Sequence, residues 1–269
     1  MINDINLYLT GKKLLGDDFS DEQIKEWMAD EKEGYANLGA KNREHYHYGY
    51  HALNQYGYNV LPDQKFNRVL SIGGAYGDEL IPILDKINEI YILDPSDAYA
   101  GKGPLSGKKV FYAKPSDNGN FNFPDEYFDL ITCFGTLQHL PYVSVVLKES
   151  YRCLKRGNYA LFRESINSMG DWRQPRAGLT KNSRGIPLNI FRKIISHTGY
   201  SVISENQCMF PLIQRISNKI SCPHPYGSRF WVKLDRLLSL SFAWNYRYHA
   251  VRWYEKLKPG SVFYVLRKP

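Results

Sequence analysis

The stretch Arg68-Val-Leu-Ser-Ile-Gly-Gly-Ala-Tyr-Gly77 decides the fold of this 269-residue chain. An apolar run, Val69 to Ile72, leads into a glycine cluster, and the helix-like pattern Asp78-Glu-Leu-Ile-Pro-Ile-Leu follows. A strand, a tight turn and a helix start in this order let the backbone approach a small polar ligand closely. A side chain at Gly73 or Gly77 would clash with that ligand or forbid the dihedral angles of the turn.

A second apolar run, Ile90-Tyr-Ile-Leu93, ends directly at Asp94. Asp94 follows Gly73 by 21 residues. At this separation a carboxylate at the end of the second strand accepts hydrogen bonds from the hydroxyls of a ribose. The two features together therefore predict a nucleoside-binding site.

Further motifs follow in a fixed order: Phe123-Pro-Asp-Glu-Tyr-Phe-Asp129, the short strand Leu130-Ile-Thr-Cys-Phe134, Leu137-Gln-His-Leu140, and a helix ending in Leu154-Lys-Arg-Gly157. With the glycine turn and Asp94, this order resembles the class I S-adenosylmethionine-dependent methyltransferases. The resemblance covers roughly residues 66–208 and a final strand, Ser261–Arg267.

The alternation of strand and helix patterns predicts an α/β fold with a parallel sheet and helices on both faces. The resemblance implies a Rossmann-like, mostly parallel seven-stranded sheet, whose last strand lies antiparallel between two others. The helix expected near 188–198 should end at Gly199. We expect strands near 67–72, 89–93, 109–113, 128–134, 158–164, 200–208 and 261–267, and helices near 76–87, 141–155 and 188–198.

We divide the chain into an N-terminal helical lid (1–60), a core (61–208), an insertion (209–259) and the last strand (260–269). In the lid, Ser20-Asp-Glu-Gln23 is a capping box that opens a helix through about Glu33, and a second helix is predicted from Asn42 to Tyr56. The insertion is rich in aromatic and basic residues and is predicted to form a cap, a dimer surface or a satellite core. Leu234, Leu237, Leu238 and Leu240 in it suggest a helix packed on one side.

The resemblance implies S-adenosylmethionine as the cofactor. Its expected contacts are Gly73, Gly74, Ala75 and Gly77 in the loop, Asp94 and Pro95 at the ribose, Asp117 and Asn118 at the adenine, and Phe134 and Gly135 beneath the transferred methyl group. Two positions depart from the family pattern. Ser71 stands where a carboxylate normally helps to hold the methionine end, and Ala75 replaces a glycine. These departures leave open a non-catalytic scaffold on the same fold.

His139 follows the fourth strand, where many members of the family carry a histidine. An imidazole there could take a proton from a hydroxyl as the methyl group arrives; alternatively, it only orders its loop. Glu164, at the end of the fifth strand, is a rival base, since burial could raise its pKa. The structural alternative for Glu164 is an ion pair with Arg163.

Two segments are candidates for the substrate side. His45-Tyr-His-Tyr-Gly-Tyr-His51 concentrates aromatic side chains, with Tyr46 and His47 expected to stack on cofactor or substrate; His47 and His51 could share a helix face. No third metal ligand is evident nearby, so no metal is expected. The loop after the fifth strand carries cations that suit a phosphate or carboxylate, unless it is simply a solvated basic loop: Arg163, Arg173, Arg176, Lys181 and Arg184.

The net charge of +8 and the pI of about 9.1 permit nucleic acid, an anionic membrane surface or an acidic small substrate. Lysine and arginine form no block of five or six, so nucleic acid is not the expected partner. No apolar run approaches about 20 residues, so no membrane span is expected. No signal peptide is visible, and the four cysteines form no C-x-x-C pair, so the chain is expected to be cytoplasmic.

These observations favour an S-adenosylmethionine-dependent methyltransferase that methylates oxygen on a small anionic or glycan-like acceptor, such as a sugar, a nucleotide-sugar or a polysaccharide precursor. An RNA or protein methyltransferase is the alternative within enzymes, and a cofactor-less scaffold is the alternative outside them. A homodimer is left open.

Overall fold

The computed structural model describes residues 5–31, 42–100, 105–116 and 118–269. Seven strands form a single sheet in the order β3-β2-β1-β4-β5-β7-β6. Neighbouring strands are parallel except that β7 runs antiparallel to both β5 and β6. The predicted fold and the position of the last strand are confirmed. The strands are β1 (Phe66–Ile72), β2 (Ile87–Leu93), β3 (Val110–Ala113), β4 (Phe128–Phe134), β5 (Leu154–Ser165), β6 (Ser201–Cys208) and β7 (Ser261–Arg267).

The described residues form seven α-helices and several short 3₁₀ helices. Gly199 ends α5 with φ 97°, as predicted from its position after the helix. None of the described helices is long and apolar enough to cross a membrane. The helices are α1 (Ile5–Leu9), α2 (Asp21–Glu31), α3 (His51–Tyr58), α4 (Val143–Cys153), α5 (Leu188–Thr198), α6 (Pro211–Lys219) and α7 (Arg229–Ser241).

The central strands of the sheet are buried on both faces because they are apolar on both. In β1, Leu70 packs in a core cluster with α4 and α5, while its neighbour Val69 packs in a second cluster with α3 and α7. Successive side chains of a strand point to opposite faces, so one strand feeds both layers. This is the arrangement that parallel sheets require.

The segment after the glycine loop is a 3₁₀ helix, Asp78–Lys86, rather than an α-helix, and Ile83 inside it is non-helical. Pro82 causes the irregularity, because it lacks a backbone N–H and its ring would clash with the carbonyl four residues earlier. Side chains of α3 satisfy the carbonyls that this leaves: the His51 ring lies 2.9 Å from the Asp78 oxygen, and the Tyr58 hydroxyl donates to Glu79 at 2.8 Å.

The N-terminal region agrees with the sequence prediction in α2 and differs in the segment before β1. Ser20 and Gln23 form the predicted reciprocal cap of α2. The second helix, however, starts at His51 and not at Asn42, so the expectation that His47 and His51 share a helix face was wrong. Residues 46–50 are instead irregular backbone that packs its rings against other elements.

Residues 209–259 contain α6, α7 and 3₁₀ turns that cover one face of the sheet. The helix predicted from four leucines is α7, but only Leu234 and Leu238 pack against the core. Leu237 and Leu240 point outward and are 62% and 66% exposed. The predicted helix packed on one side is therefore present, but only two of its four leucines belong to the packed side.

Candidate active site

A cleft of about 1080 Å³, including its open mouth, lies at the carboxyl ends of β1, β2, β4 and β5. This is the edge at which open α/β sheets bind ligands, where the strand order reverses. Six of the lining residues come from the region before β1 and form the wall opposite the sheet. The lining residues are Met28, Glu31, Tyr46, His47, Tyr48, Tyr50, Gly73, Gly74, Ala75, Glu79, Asp94, Pro95, Ser96, Tyr99, Phe134, Gly135, Thr136, His139, Leu140 and Arg163.

The glycine loop after β1 forms the floor of the cleft at one end. Gly73 has φ +66°, and a Cβ there would overlap the Thr136 side chain. Ala75 also adopts a left-handed backbone, with φ +51°, and lines the cleft despite its methyl group. Gly77 does not line the cleft; its φ of +81° completes the turn into the 3₁₀ helix. The loop thus turns tightly and exposes backbone to the cleft.

Asp94 lies where β2 ends, on the cleft wall beside the glycine loop. Its carboxylate is 9% exposed, and its Oδ1 accepts the Ser96 backbone N–H at 2.9 Å. That bond fixes the rotamer of the side chain, while Pro95 continues the same wall. The arrangement suits a carboxylate that accepts hydrogen bonds from two adjacent hydroxyls.

The expected adenine contacts are not assembled in the described residues. Asp117 lies outside them. Asn118 is exposed and does not line the cleft; its Oδ1 accepts bonds from the Ser116 hydroxyl at 2.7 Å and the Asn120 amide at 3.3 Å. Asn118 therefore acts as a turn residue here. By contrast, Phe134 and Gly135 line the cleft at the end of β4, and their place beneath the transferred methyl group stays a prediction.

The aromatic segment before α3 lines the cleft with Tyr46, His47, Tyr48 and Tyr50. Three of these rings are fixed by contacts made elsewhere in the fold, whereas Tyr48 contacts its near neighbours in the chain. The Tyr50 ring stacks on Tyr226 at 5.9 Å, the His47 ring lies 4.3 Å from His224, and Tyr46 meets Tyr76 edge-on at 4.9 Å.

His139 ends the 3₁₀ turn Leu137–His139 and lines the cleft. Its Nδ1 lies 3.2 Å from Glu31 Oε2, and the hydroxyls of Thr180 and Ser183 are at 3.1 and 3.2 Å. Burial opposes ionisation of Glu31, but hydrogen bonds from His139, Thr180 and the Asn182 amide outweigh it and lower the pKa of this carboxyl. Glu31 is therefore a carboxylate and only accepts, so Nδ1 carries the hydrogen and Nε2 presents its lone pair.

Glu164 does not line the cleft, so its position does not support the prediction that it is a rival base. In β5 it points to the face opposite Arg163, and no ion pair joins the two, although the charge of Arg163 partly offsets the rise in the Glu164 pKa. Its Oε1 accepts the backbone N–H groups of Thr136 and Leu137, at 3.1 and 3.2 Å. Burial raises its pKa to about 7. Glu164 thus holds the loop that carries His139 from below.

Arg163 is the one cation of the predicted basic loop that lines the cleft, and it is only 6% exposed. Its guanidinium donates to Asn54 Oδ1 at 2.7 Å and lies over the Tyr50 and Phe134 rings, 4.4 and 5.1 Å from their centroids. It forms no ion pair with any residue in the described parts of the chain. Burial raises the pKa of two nearby carboxyls, Glu79 and Glu164, and the charge of Arg163 partly offsets that rise in both. Because Arg163 is buried and not neutralised by an ion pair, it can also accommodate an anion from outside the protein.

Comparison with known proteins identifies the family. The model of a methyltransferase domain matches residues 43–204, more than half of the chain. The chain belongs to the class I S-adenosylmethionine-dependent methyltransferases. No protein of curated function matches the sequence.

Solved structures with the same fold have low sequence identity to this methyltransferase. Phosphoethanolamine N-methyltransferase 2 of Haemonchus contortus, in complex with S-adenosyl-L-methionine, superposes with TM-score 0.59 at 15% identity, over 91% of this chain and 60% of its own. A methyltransferase from Mesorhizobium loti gives 0.52 at 14%, over 78% and 94%. The [4+2]-cyclase SpnF gives 0.53 at 14%, over 81% and 80%. At such identities the likeness shows the fold alone.

The other arginines predicted at the substrate side do not reach the methyltransferase cleft, so those predictions were wrong. Arg184 is fully buried and donates to the backbone carbonyls of Leu15, Leu137 and Leu140. Arg176 likewise binds carbonyls of its own loop, among them Lys181 at 2.9 Å, and Arg173 pairs with Asp171. These side chains hold the loops together, since a guanidinium has five donors to place.

Glu79 lines the cleft, and the sequence analysis missed it. The Ser71 hydroxyl donates to Glu79 Oε1, and a Cβ on Gly74 would overlap the same carboxyl oxygen. Burial raises the pKa of Glu79, and hydrogen bonds from Ser71 and from its own backbone amide lower it. Burial has the larger effect, so the pKa is raised to about 7. Glu79, eight residues further along the chain, thus places a carboxyl beside Ser71. An acid in the first turn after the glycine loop was the available signal.

Proposed function

We propose that this chain transfers a methyl group from S-adenosylmethionine to a hydroxyl oxygen of a small anionic acceptor, of the kind found in sugars and their phosphorylated precursors. The observation that carries the proposal is the pairing, in one cleft, of an imidazole held by a carboxylate with a buried arginine that forms no ion pair with a described residue. The N-terminal region, which forms the wall opposite the sheet, is proposed as the lid.

The residues at the donor end fit S-adenosylmethionine, which supplies a methyl group already activated on a sulfonium. Asp94 would hold the ribose hydroxyls, and the backbone of Gly73 to Ala75 would lie against the ligand. Glu79 would hold the amino group of its methionine end in place of the family's usual carboxylate. The Asp94 carboxyl is fixed by the Ser96 amide and the Glu79 carboxyl by the Ser71 hydroxyl. Binding of the donor would therefore cost little side-chain conformational entropy at these two residues.

Arg163 would bind the anionic group of the acceptor. Its planar guanidinium is fixed between two rings and Asn54, and it suits a carboxylate or phosphate presented in the plane of the donors. The rings of Tyr50 and Phe134 exclude water around it. Binding there would place the acceptor on the wall that also carries His139, so the reacting oxygen is oriented before transfer.

His139 would accept the proton of the acceptor hydroxyl at Nε2. The Nδ1–H donated to Glu31 selects this tautomer, and the carboxylate stabilises the positive charge that the ring acquires. The Gln138 amide lies 3.2 Å from Nε2 and donates to it when no acceptor is bound. The proton would move as the methyl carbon bonds to oxygen and its bond to sulfur breaks, which leaves the neutral thioether S-adenosylhomocysteine. The proton would then pass from the ring to solvent after both products depart.

Two other functions stay open as proposals. A scaffold without catalysis is compatible with the fold, and the cyclase among its structural neighbours illustrates that this fold does not decide the reaction. An RNA or protein methyltransferase is favoured less, because the cleft places its cation deep beside Tyr50 rather than along an open groove.

The test is methyl transfer to matched pairs of hydroxyl compounds, each pair differing only in one carboxylate or phosphate, with radiolabelled S-adenosylmethionine as donor. We expect transfer to the anionic member only. Arg163→Lys should keep part of that preference, whereas Arg163→Gln should raise the KM for the anionic member by about 10² with a smaller effect on donor binding. Equal transfer to both members would reject the anionic acceptor. Absence of S-adenosylhomocysteine binding in calorimetry would favour the scaffold.

A further inference from the structure

The outward side of α7 is an apolar surface that no described element covers. Phe230, Leu237 and Leu240 recur at helical spacing and are 67%, 62% and 66% exposed. Trp244, three residues beyond the end of the helix, is 80% exposed. The lysine and arginines of the helix, Arg229, Lys233 and Arg236, are exposed as well. These seven residues are called the outer face of α7 below.

The inner side of the same helix is firmly attached to the protein. Trp231, Val232, Asp235 and Ser239 are buried. The Asp235 carboxylate accepts the backbone N–H groups of Met209 and Phe210, at 3.0 and 2.6 Å, directly after β6. The helix is therefore held with its outer face toward solvent, and its orientation does not depend on a partner.

The net charge of the protein is concentrated in this region. Residues 209–259 contain nine lysines and arginines and only two acids, Asp235 and Glu255, a net charge of +7 out of +8 for the chain. Asp235 is buried, and Glu255 pairs with Arg247. Arg229, Lys233 and Arg236 form no ion pair with any described residue, although the Arg236 guanidinium lies 5.7 Å from the Tyr56 ring. The outer face thus combines large apolar side chains with unneutralised cations.

We propose that the outer face of α7 binds the surface of an anionic lipid bilayer. Apolar side chains on one side of a helix enter the boundary between headgroups and acyl chains, basic residues attract anionic headgroups, and tryptophan is enriched at that depth. A second copy of this chain fits less well, because a two-fold interface would oppose two patches of equal positive charge. Nucleic acid would use the cations and stack on the rings, but it offers nothing to Leu237 and Leu240.

This inference goes beyond the proposed reaction and does not depend on it. The experiment is co-sedimentation of the full chain with phosphatidylcholine vesicles, with or without phosphatidylserine. We expect binding only to vesicles that contain phosphatidylserine, weakened strongly as salt is raised from roughly 0.05 to 0.5 M. Leu237→Ser with Leu240→Ser, and separately Arg229→Gln with Lys233→Gln, should each weaken binding about tenfold or more.

Matched variants control for charge and exposed apolar area. Lys148→Gln with Lys193→Gln changes the charge equally on α4 and α5, and Val202→Ser with Ile203→Ser removes apolar groups that are 50% and 47% exposed on β6. Both pairs should bind vesicles as the unmodified chain does. Circular dichroism and thermal unfolding, measured in parallel, report whether each variant is folded.

Three results would overturn the proposal. The first is no binding to either vesicle. The second is a concentration-dependent dimer that the serine pair dissociates, again without vesicle binding. The third is tighter binding to a single-stranded oligonucleotide than to the vesicles, sensitive to the glutamine pair and indifferent to the serine pair.

Discussion

The two ends of the cleft, the proposed donor end at Gly73 and Asp94 and the proposed acceptor end at His139 and Arg163, are built from different kinds of sequence information. At the donor end, Gly73 and Asp94 are 21 residues apart and directly follow two adjacent strands. At the acceptor end, 108 residues separate Glu31 from His139, and 109 separate Asn54 from Arg163. The donor end follows from the local geometry of two strand ends, whereas the acceptor end exists only when the N-terminal region has packed on the sheet.

This difference predicts which measurement each end controls. Changes at the donor end should alter the affinity for S-adenosylhomocysteine, because those residues would touch the donor in every state. Changes at the acceptor end should alter turnover, because those residues would act on the acceptor as it reacts. The experiments below test that division, beginning with the largest expected effect.

Replacement of His139 by alanine should cost on the order of 10²–10⁴ in kcat, the range for loss of a general base. S-adenosylhomocysteine affinity, measured by calorimetry, should change little. Gln138→Ala, one residue earlier, is the matched control and should keep most of the activity, since its amide only fills Nε2 in the absence of acceptor. If His139 merely orders its loop, the alanine variant will lose donor affinity and thermal stability together.

Replacement of Asp94 by asparagine should weaken S-adenosylhomocysteine binding on the order of 10²-fold, because two charge-assisted bonds to the ribose lose their charge. The asparagine oxygen can still accept the Ser96 amide, so the fold should be kept. Asp97→Asn is the control, since that side chain is 69% exposed and pairs with Lys114. Equal losses in the two variants would show that the loop, and not the ribose contact, matters.

The sequence predicted the sheet well because its strands carry their own signal. The apolar runs that end at Ile72, Leu93 and Phe134 predict the ends of three strands, and the turn residues that follow Ile72 predict the glycine loop. The segment before α3 could not be predicted in this way. Its aromatic pattern is compatible with a helix, but contacts with Tyr226 and His224, more than 170 residues away, hold Tyr50 and His47 in irregular backbone.

The charged side chains of the basic loop could not be assigned to the cleft from the sequence either. Arg163 and Arg184 are both buried and only 21 residues apart, and composition does not distinguish them. One faces the cleft, and the other satisfies three backbone carbonyls from two distant loops. The packing of the N-terminal region decides which backbone carbonyls lack hydrogen-bond partners. The local sequence around an arginine does not predict this packing.

Replacement of Glu31 by glutamine should lower kcat by about tenfold, less than the loss of His139 itself, because the imidazole remains and only its tautomer and charge lose support. The KM for the acceptor and the affinity for S-adenosylhomocysteine should change little. Asp30→Asn is the neighbouring control and removes only an exposed pair with Lys181. A fall in thermal stability that accounts for the whole activity loss would mean that Glu31 acts by holding the lid alone.

The smallest expected effect is the pH dependence of donor binding through Glu79. Its pKa of about 7 means that the carboxyl ionises between about pH 6 and 8, and the ionised form would pair with the cationic amino group of the donor. Affinity for S-adenosylhomocysteine should therefore rise with pH, by up to about tenfold over this range. The stability of the free protein should change in the opposite sense, since a raised pKa favours the protonated fold and stability is lost as pH rises toward 7. Glu79→Gln should remove the rise in affinity, and adding Ser71→Asp to it should restore tight binding with ionisation shifted to lower pH. If the affinity for S-adenosylhomocysteine still rises with pH in Glu79→Gln, a group other than Glu79 accepts from the amino group of the donor, and Glu79 does not replace the family's carboxylate.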